Sequence, residues 1–147
     1  MGHTCNSIII NAPYDLIFNI SNDIPRWTEL FGDEYKKAEI VEKKDNKIIF
    51  RLTDDEDKSW ISWRLLFKDK FFTYSERHDP KFPFKYMKIV WLYTQKPEGI
   101  ELAWVQYFEM DDKAKFNDEQ VEGFINKHSK DNLKIFKNVI EKAANKK

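Results

Sequence analysis

The chain has 147 residues, balanced charge (25 Lys and Arg against 25 Asp and Glu) and one cysteine. That length suits a single domain spanning residues 1–147, with a core large enough to hold without disulfides. The balance of charge removes the basic stripe that nucleic-acid binding needs. Cys5 alone supports neither a disulfide framework nor a cysteine-rich metal site, and it reads as a structural thiol on an early strand. No apolar run approaches the ~20 residues of a membrane helix, and the N-terminus has no signal-peptide core. The expectation is a soluble, cytoplasmic protein.

Residues 3–11 carry Ile8-Ile9-Ile10 and read as a first strand. Pro13 then opens a short helix over 13–21. A second short helix over 23–31 has Asp23 at its N-cap and Pro25 just inside. After Gly32 the pattern changes. Segments near 34–43, 47–53, 58–67, 70–78, 84–95 and 99–110 are rich in β-branched and aromatic residues. Asp45-Asn46, Lys68-Asp69 and Pro97-Glu98-Gly99 punctuate them as turns. Such short connections make consecutive strands antiparallel neighbours. The acidic run Asp54-Asp55-Glu56-Asp57 lacks the spacing and glycine of a calcium loop, so it reads as a solvated hairpin. Asn117 or Asp118 starts an amphipathic helix running to about Ala144, and the tail from Lys142 to Lys147 is its solvated, cation-bearing end.

This order gives an α+β fold: a seven-stranded curved antiparallel sheet around a long C-terminal helix, with two short helices between strands 1 and 2. Only the last helix is long enough to cover the sheet, so the interior is expected to be hollow. On that helix Val121, Ile125, Phe136, Val139 and Ala143 form one stripe, flanked by Phe124 and Ile135. His128 and Asn132 fall on the same stripe, where an unpartnered polar group costs roughly 1–3 kcal/mol. They point to a polar cavity wall, or else to buried groups satisfied by backbone or water.

Alternate strand residues face opposite sides. In 84–95 the inward set is Met87, Ile89, Trp91 and Tyr93. In 99–110 it is Leu102, Trp104, Gln106, Phe108 and Met110. In 58–67 hydrophobic alternation puts Ile61, Trp63 and Leu65 inward and leaves Trp60, Ser62 and Arg64 outside. The histidines His3, His78 and His128 lack zinc-ligand spacing. No nucleophile elbow is present, and four glycines form no phosphate loop. No metal and no cofactor are expected. Aromatic residues make up 16% of the chain, which fits either a bulky core or a cavity for a flat, unsaturated ligand.

Several segments together resemble one family. They are Asn6-Ser7-Ile8 through Asn11-Ala12-Pro13, Asn22-Asp23-Ile24, Trp27-Thr28-Glu29-Leu30-Phe31, and Glu34-Tyr35 with Ala38-Glu39-Ile40. Trp60-Ile61-Ser62-Trp63-Arg64, Pro83-Phe84-Lys85-Tyr86-Met87 and Trp104-Val105-Gln106 follow in the same order. The chain is similar over residues 6–142 to the polyketide aromatase/cyclases of the tetracenomycin type, within the Bet v 1-like, or START-like, helix-grip superfamily. The resemblance implies ring closure and aromatisation of a linear poly-β-ketone held on an acyl carrier protein by phosphopantetheine. It implies first-ring aldol closure followed by dehydration, with an aromatic polyketide as product and no role for nucleic acid or membrane. It also turns Arg64 inward, against the alternation. Ile61, Trp63 and Leu65 would then face outward and mark a contact with a carrier protein or a second copy, the protein being a monomer or a homodimer.

On this reading Arg64 stabilises the developing oxyanion and Tyr35 shuttles the proton. Ser62, Gln106 and Asn132 anchor carbonyls. Trp27, Phe31, Trp60, Phe84, Met87, Trp91 and Trp104 shape the bent chain, and Arg77 and His128 contribute to binding. The alternative for Arg64 is a structural ion pair with a residue such as Glu39 or Glu76. The alternative for the whole protein is a non-catalytic helix-grip carrier of a hydrophobic or aromatic small molecule. A carrier needs a mostly apolar cavity with one polar end, and the polar groups spread along these strands favour the enzyme.

Overall fold

The computed structural model describes residues 1–32, 34–78 and 82–145. Strand β1 (Gly2–Ile10) leads into α1 (Tyr14–Ser21), a single 3-10 turn at Ile24–Arg26, and α2 (Trp27–Leu30). Then follow β2 (Tyr35–Lys44), β3 (Lys47–Asp54), β4 (Ser59–Phe67), β5 (Phe72–Arg77), β6 (Phe84–Lys96) and β7 (Gly99–Met110). Helix α3 (Asp118–Asn145) closes the chain; Lys146 and Lys147 of the lysine-rich tail lie outside the described residues.

The strands form one antiparallel sheet in the order β1-β7-β6-β5-β4-β3-β2. Each hairpin pairs with its sequence neighbour, and only β1 crosses over to lie against β7. The edges are therefore β1 and β2. Edge β2 carries two bulges, at Tyr35/Lys37 and Ile40/Glu42, and lysines, which blunt it against further strand pairing. At the β6–β7 turn Gly99 has φ +148°, and a Cβ there would lie 2.4 Å from the Ile10 carbonyl oxygen. Only glycine suits that position. The Lys68-Asp69 turn is longer than its sequence indicates. It is a 3-10 turn over Lys68–Lys70 followed by Phe71 at φ +65°, which places Arg64 opposite Ser75 and Ser62 opposite Arg77.

Helix α3 packs chiefly along β1, with smaller contacts to β7, α1 and α2. Its buried face is Val121, Ser129, Asn132, Leu133, Phe136 and Ile140. This corrects the sequence-derived stripe. The helix is rolled so that Ser129 is the buried residue of the pair and His128 sits at the open margin of the face. Phe124 is 56% exposed, and the His128 side chain is equally open. The core joins Ile10, Ile17, Leu30, Leu102, Leu133, Phe136 and Ile140. Because α3 hugs one edge of the curved sheet, β3, β4 and β5 face open space rather than the helix, and a cavity results.

Arg64 points inward and is 1% exposed. The outward Trp63 is half-buried, packed on Tyr74 with ring centroids 5.7 Å apart and capped by Lys47 Nζ 5.5 Å from its ring. An apolar outer face therefore needs no second protein to cover Trp63. Cys5 is exposed on β1, which corrects its reading as a structural thiol. Asp54 Oδ1 accepts from the Glu56 and Lys58 amides, so the acidic run is a capped hairpin turn.

Candidate functional site

The concave face of the sheet, α2 and α3 enclose a cavity of about 400 Å³. Trp27, Phe31, Tyr35, Trp60, Ser62, Arg64, Arg77, Phe84, Met87, Trp91, Trp104, Gln106, His128 and Asn132 all line it. Its aromatic wall is continuous. Trp91 lies 5.2 Å from Trp104, 5.5 Å from Phe136 and 5.9 Å from Trp27, centroid to centroid. Tilted and edge-on rings of this kind fill space rigidly.

Arg64 stands in this wall. Its Nε donates to Asn22 Oδ1 at 2.8 Å, Nη1 to Ser75 Oγ at 3.2 Å and Nη2 to Thr73 Oγ1 at 2.8 Å. Its Cζ lies 4.0 Å from the Trp91 ring and 5.4 Å from the Trp27 ring. Every hydrogen-bond acceptor is neutral. The ion-pair alternative fails among the described residues: Glu39 pairs with Arg51, and Glu76 accepts from the Tyr74 hydroxyl at 2.7 Å. Burial without a counter-charge pulls the guanidinium down to about 10. It stays charged at neutral pH.

A second group of polar residues lies along β2, β5 and α3. The Tyr35 ring packs 5.1 Å from Phe31 and 6.0 Å from Trp60. Burial, aided by the Glu34 carboxylate and opposed by Arg77, pushes its phenol well above the ordinary value. It is therefore a neutral donor. Arg77 Cζ lies 5.2 Å from Trp60 and 5.1 Å from Phe84, and burial lowers this guanidinium too. At the exposed end, His128 Nε2 donates to Glu34 Oε1 at 3.1 Å. That bond raises the imidazole above its ordinary value. Phe116 and Phe124 stand beside it, partly exposed, with ring centroids 5.1 Å apart.

Gln106 is held within the wall: its Oε1 accepts from Trp104 Nε1 at 3.0 Å, and its Nε2 contacts Met87 Sδ at 2.9 Å. A thioether is a weak acceptor, so the Gln106 amide N–H is exchangeable. Asn132 Nδ2 is buried with no partner among the described residues. Sequence reasoning missed Glu34, Ser75, Glu76 and Ser129, all of which line the cavity. The β4–β5 register would have found Ser75, had the turn been counted at its true length. Asn22, also unassigned, touches Arg64 from behind. Among the described residues no cluster of three or more His, Cys, Asp or Glu is arranged to hold a metal ion, and no helix is long and apolar enough to cross a membrane.

No family model matches the chain. A protein of Streptomyces cyaneus assigned as a polyketide cyclase is 36% identical over 148 residues, covering 97% of this chain and 96% of that one. The chain belongs to the polyketide cyclases. The same fold recurs in solved aromatase/cyclases. The Zhui aromatase/cyclase from Streptomyces sp. R1128 matches with a TM-score of 0.77 at 18% identity, over 97% of this chain and 92% of that one. One half of the di-domain aromatase/cyclase BexL, from the BE-7585A biosynthetic pathway, matches at 0.82 and 16% identity, over 99% of this chain and 48% of that one. These two likenesses carry the helix-grip fold; the Streptomyces cyaneus relative carries the family.

Proposed function

We propose that this polyketide cyclase directs first-ring aldol closure, then dehydration to an aromatic ring, of a linear poly-β-ketone delivered on an acyl carrier protein. The observation that carries the proposal is Arg64, a buried guanidinium with only neutral acceptors, set against two neighbouring indoles in the wall of an aromatic cavity. An aldol step turns one carbon acid into an enolate and then a carbonyl oxygen into an alkoxide. A fixed cation in a dry site stabilises both anions without reorganising.

The proposed steps assign each group a role. The aromatic wall bends the chain so that the enolate carbon meets its carbonyl and water is kept out. Arg64 holds the oxygen that gains charge. The carbon acid gives its proton to water as the enolate forms. Tyr35, a neutral phenol, gives its proton to the stronger alkoxide base as the new C–C bond forms, and the phenolate regains a proton by taking the α-hydrogen in the dehydration. Loss of the new hydroxyl with an α-hydrogen, as water, completes the ring. Ser62, Gln106 and Asn132 hold carbonyls further along the chain, and Arg77 binds between Trp60 and Phe84. The exposed Phe116 and Phe124 mark the end through which a tethered chain enters. Adding the protein to a minimal polyketide synthase is expected to shift the shunt products toward one first-ring isomer, and Arg64→Ala is expected to remove the shift. Identical products with and without the protein would overturn the proposal.

A further inference from the structure

The Asn22-Asp23-Ile24 segment carries part of the family resemblance, yet none of its residues lines the cavity. Asn22 sits at the end of α1 and is 7% exposed. Its Nδ2 donates to the Phe18 carbonyl at 2.8 Å and to the Tyr93 hydroxyl at 3.1 Å. Phe18 offers only a carbonyl acceptor there, so the amide nitrogen must face it and the oxygen must face Arg64 Nε. Tyr93 is fixed in turn by Ser21, whose Oγ lies 2.7 Å from its hydroxyl and donates to the Ile17 carbonyl at 2.7 Å. The Ser21 carbonyl also accepts from Trp27 Nε1 at 3.0 Å. Two residues at the end of one helix thereby orient Arg64 and one of the indoles beside it.

Arg64 apart, every side chain in this network is uncharged at neutral pH. A carboxylate at position 22 would fit the same space and neutralise the guanidinium. The other acidic and basic groups of the cavity are engaged elsewhere: Glu34 with His128, Glu76 with Tyr74, and Arg77 over Trp60 and Phe84. Three of the five guanidinium N–H groups are taken by Asn22, Ser75 and Thr73. One N–H on each Nη is left for a ligand.

We infer that Asn22 is a positioning residue that holds Arg64 by a neutral acceptor, so that the cavity takes a 1,3-dicarbonyl unit as its enolate anion rather than as the neutral diketone. The inference deepens the polyketone reading of the cavity and rests on it for the biological ligand. On binding, the carbon acid loses one proton to water, and the charge spread over two oxygens becomes the counter-ion that Arg64 otherwise lacks.

The probe is 1-phenylbutane-1,3-dione, whose enolate absorbs at longer wavelength than its enol, titrated with the full chain at fixed neutral pH. Wild type is expected to raise the enolate fraction of the bound probe at least tenfold over that of the free probe. Asn22→Asp and Asn22→Ala both lose the contacts to Phe18 and Tyr93, but only Asp compensates the charge. Asn22→Asp is therefore expected to abolish the enolate band, and Asn22→Ala to keep it with a weaker Kd. Thr73→Asp brings a carboxylate to the other end of the guanidinium and is expected to act like Asn22→Asp. Absence of the band in wild type, its persistence in Asn22→Asp, or equal loss in Asp and Ala overturns the inference. Band behaviour as expected, alongside a polyketide assay without effect, would support the enolate site and refute only the cyclisation reading.

Discussion

Arg64→Met removes the guanidinium and leaves an unbranched side chain that can fill the space beside Trp27 and Trp91. Holding the cation in the fold depresses it from 12.5 to about 10, a penalty of roughly 3 kcal/mol that disappears with the charge. Against that gain, Asn22 Oδ1, Ser75 Oγ and Thr73 Oγ1 lose a donor. The two hydroxyls can rotate toward other acceptors, but the Asn22 oxygen cannot, and one stranded buried acceptor costs about 1–3 kcal/mol. The two terms nearly cancel, so the net change is within about 3 kcal/mol and the melting temperature moves by under about 10 °C. Activity behaves differently: loss of one preorganised oxyanion donor lowers the rate by roughly 10²–10³-fold. The assay pairs a circular-dichroism melt with product analysis from a reconstituted polyketide synthase. Arg64→Met protein that keeps the wild-type product pattern and rate would refute the chemical role. A loss of more than about 20 °C would refute the energy balance.

Three other outcomes are expected. Tyr35→Phe deletes one hydroxyl from a packed ring, so single-turnover cyclisation should slow by roughly 10²–10⁴-fold while the melt stays close to wild type. His128 has a raised value in the fold, so its bond to Glu34 adds stability that is fully present below the ordinary value of 6.5 and is lost as pH rises through the raised one. The melting difference between wild type and His128→Gln should therefore be larger at about pH 5.5 than at about pH 8.5, and small throughout because the side chain is half exposed. Phe136→Ala opens the packing against Phe31 and Trp91; a cost of about 3–5 kcal/mol should appear as a melt lowered by at least about 6 °C.

The strands were legible because alternation is strict where one face is buried: in β7 every even residue from Ile100 to Met110 is buried. Arg64 broke that rule for a local reason. The outward Trp63 and Leu65 look like core, and only the fold shows Tyr74 and Lys47 covering Trp63. Periodicity alone would have exposed the one charged group that the cavity buries most deeply, and the W-x-S-x-R resemblance carried its placement. Helix α3 misled in the opposite way. The apolar count favoured a stripe through His128, whereas packing along β1 rolls the helix toward Ser129, a small residue that adds nothing to a hydrophobic pattern. The Asn22–Arg64–Tyr93 contacts join residues 42 and 71 apart, and no local pattern reports a pairing made only by the curl of the sheet.

The sheet does not close on itself, since β1 and β2 both remain edges. A closed barrel fixes its bore by strand number and stagger, and resizing it means rebuilding the whole wall. Here one helix forms the opposing jaw. Ser129 and Asn132 on its inner face line the interior, so exchanging Ser129 for a larger residue is expected to shorten the cavity while leaving all seven strands and their register untouched. The architecture separates what must be constant for folding from what is free to drift with the substrate.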